Sequence, residues 1–188
     1  PQVSPQHHNQ RQFARADGVT RLYRVQNGKR EPFGAEFFAS TAPAHGLYGR
    51  VYAGTSWSGA PLAERLEPMM DVYFNPETPE GLPSPGMTPG PFSAEWYATL
   101  TVDAPGEYQF RANAVSGVTD VVVDGQLVAR TAAGDYNQAT RADGRITLQP
   151  GPHTLRVRYS YEKGFVARSW VYWAPPGGEI RHIDFQAL

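Results

Sequence analysis

The sequence contains no cysteine, and this absence excludes several kinds of chemistry at once. Disulfide bonds, thiolate nucleophiles and cysteine-bound zinc all require the missing thiol. The absence does not indicate a compartment, because exported proteins often carry disulfides but do not require them. Functions that depend on thiol chemistry are therefore excluded.

The chain also lacks an excess of charge and any long apolar run. Its 17 Lys and Arg residues and 18 Asp and Glu residues leave a formal net charge of -1, and the basic residues are scattered. Nucleic-acid binding depends on a basic surface, so we expect no nucleic-acid partner. A bilayer-spanning helix needs roughly 20 consecutive apolar residues. Since no stretch approaches that length, we expect no direct membrane insertion by this chain.

Turn-forming residues are abundant instead. The 19 glycines and 17 prolines among 188 residues favour short strands over long helices. A chain of this length can bury one good core. We expect a disordered tail over residues 1–15, a leading segment with one strand over residues 16–45, and one main domain over residues 46–188. Because the sequence begins with proline, we expect a mature or excised piece of a longer protein.

Alternating polar and apolar residues predict strands along the main domain. Residues 96–102 and 107–112 each alternate and are separated by a Pro-Gly turn, so we expect them to pair as a hairpin. Residues 153–161 alternate over their whole length, and we expect residues 168–173 to be their hairpin partner. Many short strands without long helical patterns between them indicate a β-sandwich or a barrel.

Two further segments are defined by their turn residues. Asp124 and Gly125 join two β-rich runs and tolerate the positive φ of a type I′ turn, so they predict a tight hairpin. Residues 75–91 contain six prolines and three glycines and must form a long surface loop. Only residues 60–70 could hold a helical turn.

Several motifs resemble one known family in their order and spacing. From about Gly46 to Leu188 the chain resembles the protective-antigen N-terminal domain family, through these motifs: Gly46-Leu-Tyr-Gly, Trp57-Ser-Gly-Ala-Pro61, Phe92-Ser-Ala-Glu-Trp-Tyr, Pro105-Gly-Glu-Tyr-Gln-Phe110, Val121-Val-Val-Asp-Gly125 and Trp170-Val-Tyr-Trp173. The resemblance implies an all-β, antiparallel two-sheet β-sandwich, jelly-roll-like, with an irregular N-terminal segment. It also implies a glycan-binding function, which several bacterial and fungal members have.

The resemblance implies a calcium site that this sequence does not reproduce. Glycan-binding members hold calcium on two consecutive aspartates before the central strand, and those positions fall on Ser116 and Gly117. Neither residue supplies the carboxylate that calcium prefers. A shifted register could bring Asp120 near, but it would move the strand's side chains to the opposite faces. Calcium is therefore a disfavoured cofactor, and Asp120 is expected to be an exposed strand residue.

Two loops carry side chains suited to sugar binding. The resemblance implies sugar contacts in the loop after residue 161, where Glu162, Lys163 and Phe165 supply charged groups and an aromatic ring. Alternatively, Phe165 folds back onto the sandwich and this is a plain hairpin tip. The second candidate is the loop with Asp135, Tyr136 and Asn137, since a carboxylate, a phenol and an amide can form hydrogen bonds with sugar hydroxyls. The alternative there is an ordinary polar surface loop.

Catalytic motifs are not apparent in the sequence. Glu95 and Asp103 could pair in space as the two carboxylates of a glycosidase do. Tryptophan in strand-like patterns usually fills a core, and we expect this of at least three among Trp57, Trp96, Trp170 and Trp173.

These observations favour a non-catalytic carbohydrate-binding accessory domain of an exported or membrane-bound carbohydrate-active protein. Its expected partners are a glycan or polysaccharide and the other domains of the parent, in an extracytoplasmic location. The alternative is a structural or protein-contacting spacer, for example the extracytoplasmic domain of a multispanning glycosyltransferase, to whose segments residues 13–25 are similar. A third hypothesis is a catalytic domain in its own right.

Overall fold

The computed structural model describes residues 46–84 and 86–183, together with the backbone of short strands before residue 46. Those strands are β1 Ala14–Ala16, β2 Val19–Arg21, β3 Tyr23–Gln26 and β4 Lys29–Pro32. β1 pairs with β2 and β3 with β4, both antiparallel, where the sequence predicts a single strand. Residues 1–13 of the predicted tail lie outside the described residues.

The main part of the chain forms two antiparallel sheets. Its strands are β5 Leu47–Ala53, β6 Ala63–Glu67, β7 Asp71–Phe74, β8 Phe92–Val102, β9 Gly106–Val115, β10 Gly117–Val123, β11 Gln126–Arg130, β12 Ala139–Leu148, β13 Gly151–Tyr161, β14 Ala167–Ala174 and β15 Arg181–His182. The first sheet has the order β11-β10-β13-β8-β5-β6. The second has the order β12-β9-β14-β15, with β7 also paired to β14. The predicted all-β, two-sheet antiparallel sandwich is confirmed.

Two of the predicted hairpins are wrong. β8 pairs with β5 and β13 in the first sheet, whereas β9 pairs with β12 and β14 in the second. β13 and β14 likewise belong to different sheets. The short connections after β8 and β13 therefore carry the chain across the sandwich, between layers about 10 Å apart. Alternation identifies a strand and its buried face, but it does not identify the strand's partner.

The hairpin at Asp124 and Gly125 is confirmed. The two residues have φ values of 48° and 79°, as a type I′ turn between β10 and β11 requires. The Asp124 carboxylate also accepts a hydrogen bond of 2.8 Å from the backbone N–H of Thr154 on the neighbouring strand. The turn is thus tied to the sheet as well as closed.

The core lies between the two sheets. Along each strand every second side chain points inward, and these inward-facing side chains form the core. Trp96 and Trp173 are 1% and 4% exposed and belong to it. Trp57 and Trp170 are only half-buried and carry stacked arginines, which contradicts the expectation of at least three core tryptophans. Tryptophan on an outer sheet face can be covered by a long basic side chain as well as by the core.

The outer face of the first sheet buries a charge that the sequence predicts to be exposed. Asp120 is 1% exposed on β10. Its carboxylate accepts hydrogen bonds from Arg158 on β13, at 2.8 Å, and from Arg130 on β11, at 3.3 Å. The Arg158 guanidinium in turn lies 4.9 Å from the Trp57 ring. Asp120 is therefore a buried ion-pair residue, because its strand neighbours are long arginines that close over it.

Residues 60–70, the one segment in which the sequence allows a helical turn, contain the strand β6, Ala63–Glu67, instead. The predicted loop between β7 and β8 is confirmed, and it contains a short 3-10 helix, Pro79–Gly81. Within the described residues no helix has the length and apolar character to cross a membrane.

His153 and Asp124 give a small, testable pH dependence. His153 Nδ1 lies 2.6 Å from the Asp124 carboxylate and Nε2 lies 2.7 Å from the Gln149 carbonyl oxygen. Both partners are acceptors, so the doubly protonated imidazolium fits best. The hydrogen bond to Asp124 and that to Gln149 raise the pKa of His153. The pair's stabilisation is therefore complete below about pH 6.5 and is lost as the pH rises through the folded-state pKa.

We expect the wild-type free energy of unfolding to fall by less than about 1 kcal/mol from pH 6 to pH 9, because the pair lies near solvent. Urea denaturation of the wild type and of His153→Gln checks this. The variant should show a flatter profile over that range. An equal decline in both proteins would assign the pH dependence to other groups.

Candidate functional site

Four connections meet at one end of the sandwich and form the candidate site. Gly117 pairs with Tyr161, Ala139 with Val115 and Ala167 with Phe74, so the ends of these strands lie together. The connections are the turn at Ser116, the loop over residues 131–138, the loop over residues 162–166 and the start of the long loop after β7. Both predicted sugar loops belong to this end.

Asn137 ties the two predicted loops together. Its Oδ1 accepts hydrogen bonds from the backbone N–H groups of Phe165, at 2.9 Å, and Val166, at 3.1 Å. Its own backbone N–H donates to Ser116 Oγ at 2.9 Å. Asn137 has a φ of 58°, a left-handed conformation that asparagine tolerates better than most residues. The amide side chain therefore fixes one loop against the other.

Two aromatic rings stand side by side on the tied loops. Tyr136 and Phe165 are each 47% exposed, and their ring centroids lie 4.7 Å apart in an edge-to-face arrangement. Phe165 thus contacts the other loop and remains half-exposed, rather than folding back onto the core. Because the two ring planes are 78° apart, each ring offers its own flat apolar face, and the two faces meet nearly at a right angle.

Glu77, from the proline-rich loop, is a site residue that the sequence analysis did not identify. Partial desolvation raises the pKa of Tyr136, and the adjacent Glu77 carboxylate adds to it through its charge and a hydrogen bond. Burial raises the pKa of Tyr161, and the charges of Tyr136 and Glu77 add to that effect. The charge of Glu77 therefore acts on both phenols at this end of the sandwich. Glu77 could not be assigned to the site from the sequence, because it lies in a different segment of the chain from Tyr136 and Tyr161.

A glycine allows the loop after β13 to approach the turn after β9. Gly164 has a φ of 141°, and a Cβ at this position would overlap the side chain of Ser116. The Gly164 carbonyl oxygen accepts a hydrogen bond of 2.5 Å from the Tyr161 hydroxyl. The backbone of the loop therefore packs directly on Ser116.

The positions at which the resemblance implies calcium do not suit this ion. Ser116 Oγ already accepts a hydrogen bond of 2.9 Å from the Asn137 backbone N–H, and Gly117 has no side chain. A Cβ at Gly117 would overlap the Ser160 carbonyl oxygen and the Tyr159 ring. Calcium requires six to eight oxygen ligands, usually including carboxylates. Among the described residues no group of three His, Cys, Asp or Glu could hold a metal ion.

The other predicted residues lie on the rim of the same end. Asp135 is exposed at the start of a turn closed by a hydrogen bond of 2.8 Å from the Gln138 N–H to its carbonyl oxygen. Glu162 and Lys163 are exposed at the tip of the neighbouring loop. Asp135 precedes Tyr136 in the chain, and Glu162 and Lys163 share a loop with Phe165.

The two carboxylates proposed as a glycosidase pair do not meet. Glu95 lies within β8 and Asp103 follows its end, which places them about 26 Å apart at the rise of an extended strand. A glycosidase pair requires a separation of roughly 5–10 Å. Glu95 instead accepts hydrogen bonds from Arg156, at 2.6 Å, and Tyr52, at 2.7 Å.

Comparison with known families finds that residues 43–187 match the PA14 domain. None of the curated proteins matches the chain.

Solved structures share the fold at low identity. The PA14 sugar-binding domain from an RTX adhesin is 20% identical, with a TM-score of 0.60, and the match covers 76% of this chain and 96% of that one. An epithelial adhesin A domain from Candida glabrata, in complex with Galβ1-4GlcNAc, is 13% identical, with a TM-score of 0.52 and coverage of 78% and 90%. An anti-sigma factor domain-containing protein from Clostridium clariflavum is 16% identical, with a TM-score of 0.62 over 77% of this chain. The match spans only 46% of that longer protein.

Proposed function

The chain belongs to the PA14 domain family, and on that premise we propose that it is a carbohydrate-binding domain whose site is the aromatic pair Tyr136 and Phe165. The observation that carries this proposal is the tie between the two loops through Asn137. A fixed, half-exposed aromatic surface is the feature that a sugar ring needs for stacking. The structures of an RTX adhesin sugar-binding domain and of an adhesin holding a disaccharide support it.

The polar groups around the rings suit the hydroxyls of a sugar. Glu77 and Asp135 supply carboxylate oxygens that accept hydrogen bonds, and Lys163 supplies a donor. Asn137 holds the two loops in place through protein hydrogen bonds alone. We therefore assign binding to the protein's own side chains, without calcium.

The domain acts as a non-catalytic accessory module of an exported or membrane-bound carbohydrate-active protein. The much longer anti-sigma factor relative supports a modular use of this fold, and the adhesin structures support an extracytoplasmic location. A spacer domain is the alternative.

Glycan binding should depend on Phe165 and not on calcium. We expect Phe165→Ala to weaken binding about tenfold, because aromatic anchors near the centre of a site contribute most of the affinity. An array of glycans probed with and without calcium identifies a ligand, and calorimetric titration measures its affinity. Chelation of calcium with EDTA should leave the affinity unchanged.

A matched control is Leu127→Ala. Leu127 is exposed to the same 47% as Phe165 but lies in the hairpin closed by Asp124 and Gly125, at the opposite end of β10. Its removal should not change glycan binding. Absence of any glycan signal at millimolar concentrations, with or without calcium, would reject the proposal and support the spacer.

A further inference from the structure

A polar groove opens beside the candidate site, at the edge of the sandwich. It has a volume of about 380 Å³ and is formed by β6, β7 and the first turn of the long loop. Its lining includes Arg65, Glu67, Asp71, Tyr73, Asn75 and Glu80. A volume of this order is typical of sites for small molecules.

The groove combines an exposed ring with carboxylates held in place. Tyr73 is 60% exposed on the outer face of β7. Arg168 holds Asp71 in a bidentate ion pair, with N–O distances of 2.9 Å and 2.7 Å. Arg65 pairs with Glu67 and places its guanidinium 4.8 Å from the Phe74 ring. These contacts orient the carboxylate oxygens before any ligand arrives.

One short segment of chain, Asn75 to Glu77, leads from the groove toward the loops of the aromatic pair. The Asn75 backbone N–H donates to the Gly81 carbonyl oxygen at 2.9 Å, and Asn75 Oδ1 accepts the Glu77 N–H at 3.2 Å. Asn75 lines the groove. Desolvation raises the pKa of Tyr136, and the negative charge of Glu77, two residues further along the chain from Asn75, adds to that effect. A chain of sugar rings lying on Tyr136 and Phe165 can therefore extend past Glu77 toward Tyr73.

The charge along this path selects against acidic sugars. Among the described residues, the groove is lined by three carboxylates, Glu67, Asp71 and Glu80, and by one cation, Arg65, while Arg168 pairs with Asp71 from outside the lining. Like charges in a site disfavour an anionic ligand, and most strongly at low salt.

We infer that the groove is a second sugar subsite, so that this domain takes an extended oligosaccharide free of acidic sugars. The inference rests on the proposed function, because it presumes that the first sugars occupy the aromatic pair. Tyr73 supplies stacking in the groove, and the fixed carboxylates of Asp71 and Glu67 accept sugar hydroxyls.

The experiment compares disaccharides with hexasaccharides of the cello, chito, laminari, manno and malto series by calorimetric titration. In the series that binds, the hexasaccharide should bind about tenfold more tightly than the disaccharide. Tyr73→Ala should remove that gain and leave disaccharide affinity unchanged. Phe165→Ala should weaken both ligands, and Leu127→Ala neither. Thermal melting of each variant verifies that it folds.

The outcomes separate the two proposals. Equal affinity for both lengths, or a hexasaccharide gain that survives Tyr73→Ala, overturns the second subsite, while loss of disaccharide binding in Phe165→Ala still supports the proposed function. Binding that depends on Tyr73 but not on Phe165 overturns the proposed site. Hexagalacturonate tests the charge argument. It should bind at least tenfold more weakly than the neutral hexasaccharide, and equal affinity at low salt would overturn that part of the inference.

Discussion

Replacement of Arg156 by methionine is expected to lower the free energy of unfolding by about 3 kcal/mol. Glu95 is 4% exposed, and its Oε2 accepts hydrogen bonds of 3.1 Å and 2.6 Å from Arg156 Nε and Nη2. Removal of one partner of a buried ion pair typically costs about 3–5 kcal/mol, because the other charge stays buried. The lower value applies here, since the Arg156 side chain is 38% exposed and water can partly replace it. Urea denaturation measures the change.

A double-mutant cycle separates the charge from the packing. Methionine keeps most of the aliphatic stem of Arg156 but removes the guanidinium, whose Cζ lies 5.3 Å from the centroid of the Tyr97 ring. In the background of Glu95→Gln, which removes the buried charge, Arg156→Met should cost less than half as much. Arg130→Met is the control, because Arg130 is 53% exposed and leaves Asp120 paired with Arg158. A loss from Arg156→Met no larger than that from Arg130→Met would contradict a buried pair at Glu95.

The sheet content of this fold can be predicted from residue patterns, but the pairing of the strands cannot. Alternation identifies β8, β9 and β13, and the Asp124-Gly125 turn identifies the hairpin of β10 and β11. The connections after β8 and β13 are as short as hairpin turns, yet they cross between the sheets. A strand on either sheet needs the same inward apolar face, so the pattern is the same for both topologies.

Buried charges are a second limit on prediction. Asp120 and Glu95 each occupy outward positions of their strands, where alternation predicts exposure. Their burial comes from arginines on adjacent strands, Arg158 and Arg156, whose stems and guanidinium groups close over them. The burial of these carboxylates depends on which strands are neighbours in the sheet, and the local residue pattern does not contain that information.

The sequence predicts each loop of the candidate site, but it does not predict that the loops form one surface. Local composition selects Asp135, Tyr136 and Phe165, because charged and aromatic residues in a loop suggest a binding role. The bonds from Asn137 to the neighbouring loop join positions 28 and 29 residues apart in sequence. Glu77 lies farther still, in a loop defined by its prolines. Long-range contacts made by single side chains leave no periodic signal.

Replacement of Asn137 by glycine is expected to weaken glycan binding about thirtyfold while the sandwich remains folded. Glycine accepts the φ of 58° at this position, so the backbone of the loop can keep its conformation. The change removes Oδ1, the acceptor for the Phe165 and Val166 N–H groups, and releases Phe165 from its place beside Tyr136. A loss of about 2 kcal/mol of binding free energy corresponds to the two lost hydrogen bonds.

Asn137→Asp is the conservative control, since it keeps an acceptor oxygen at the same place and should retain binding within about threefold. Hydrogen exchange provides a readout independent of the ligand: the amides of Phe165 and Val166 should exchange faster in Asn137→Gly than in the wild type, while those of the buried strands stay protected. Wild-type affinity in the glycine variant, together with faster exchange at Phe165, would show that the tie between the loops is structural and that the sugar does not need a preformed aromatic pair. Loss of affinity together with faster exchange identifies Asn137 as the residue that positions the binding surface.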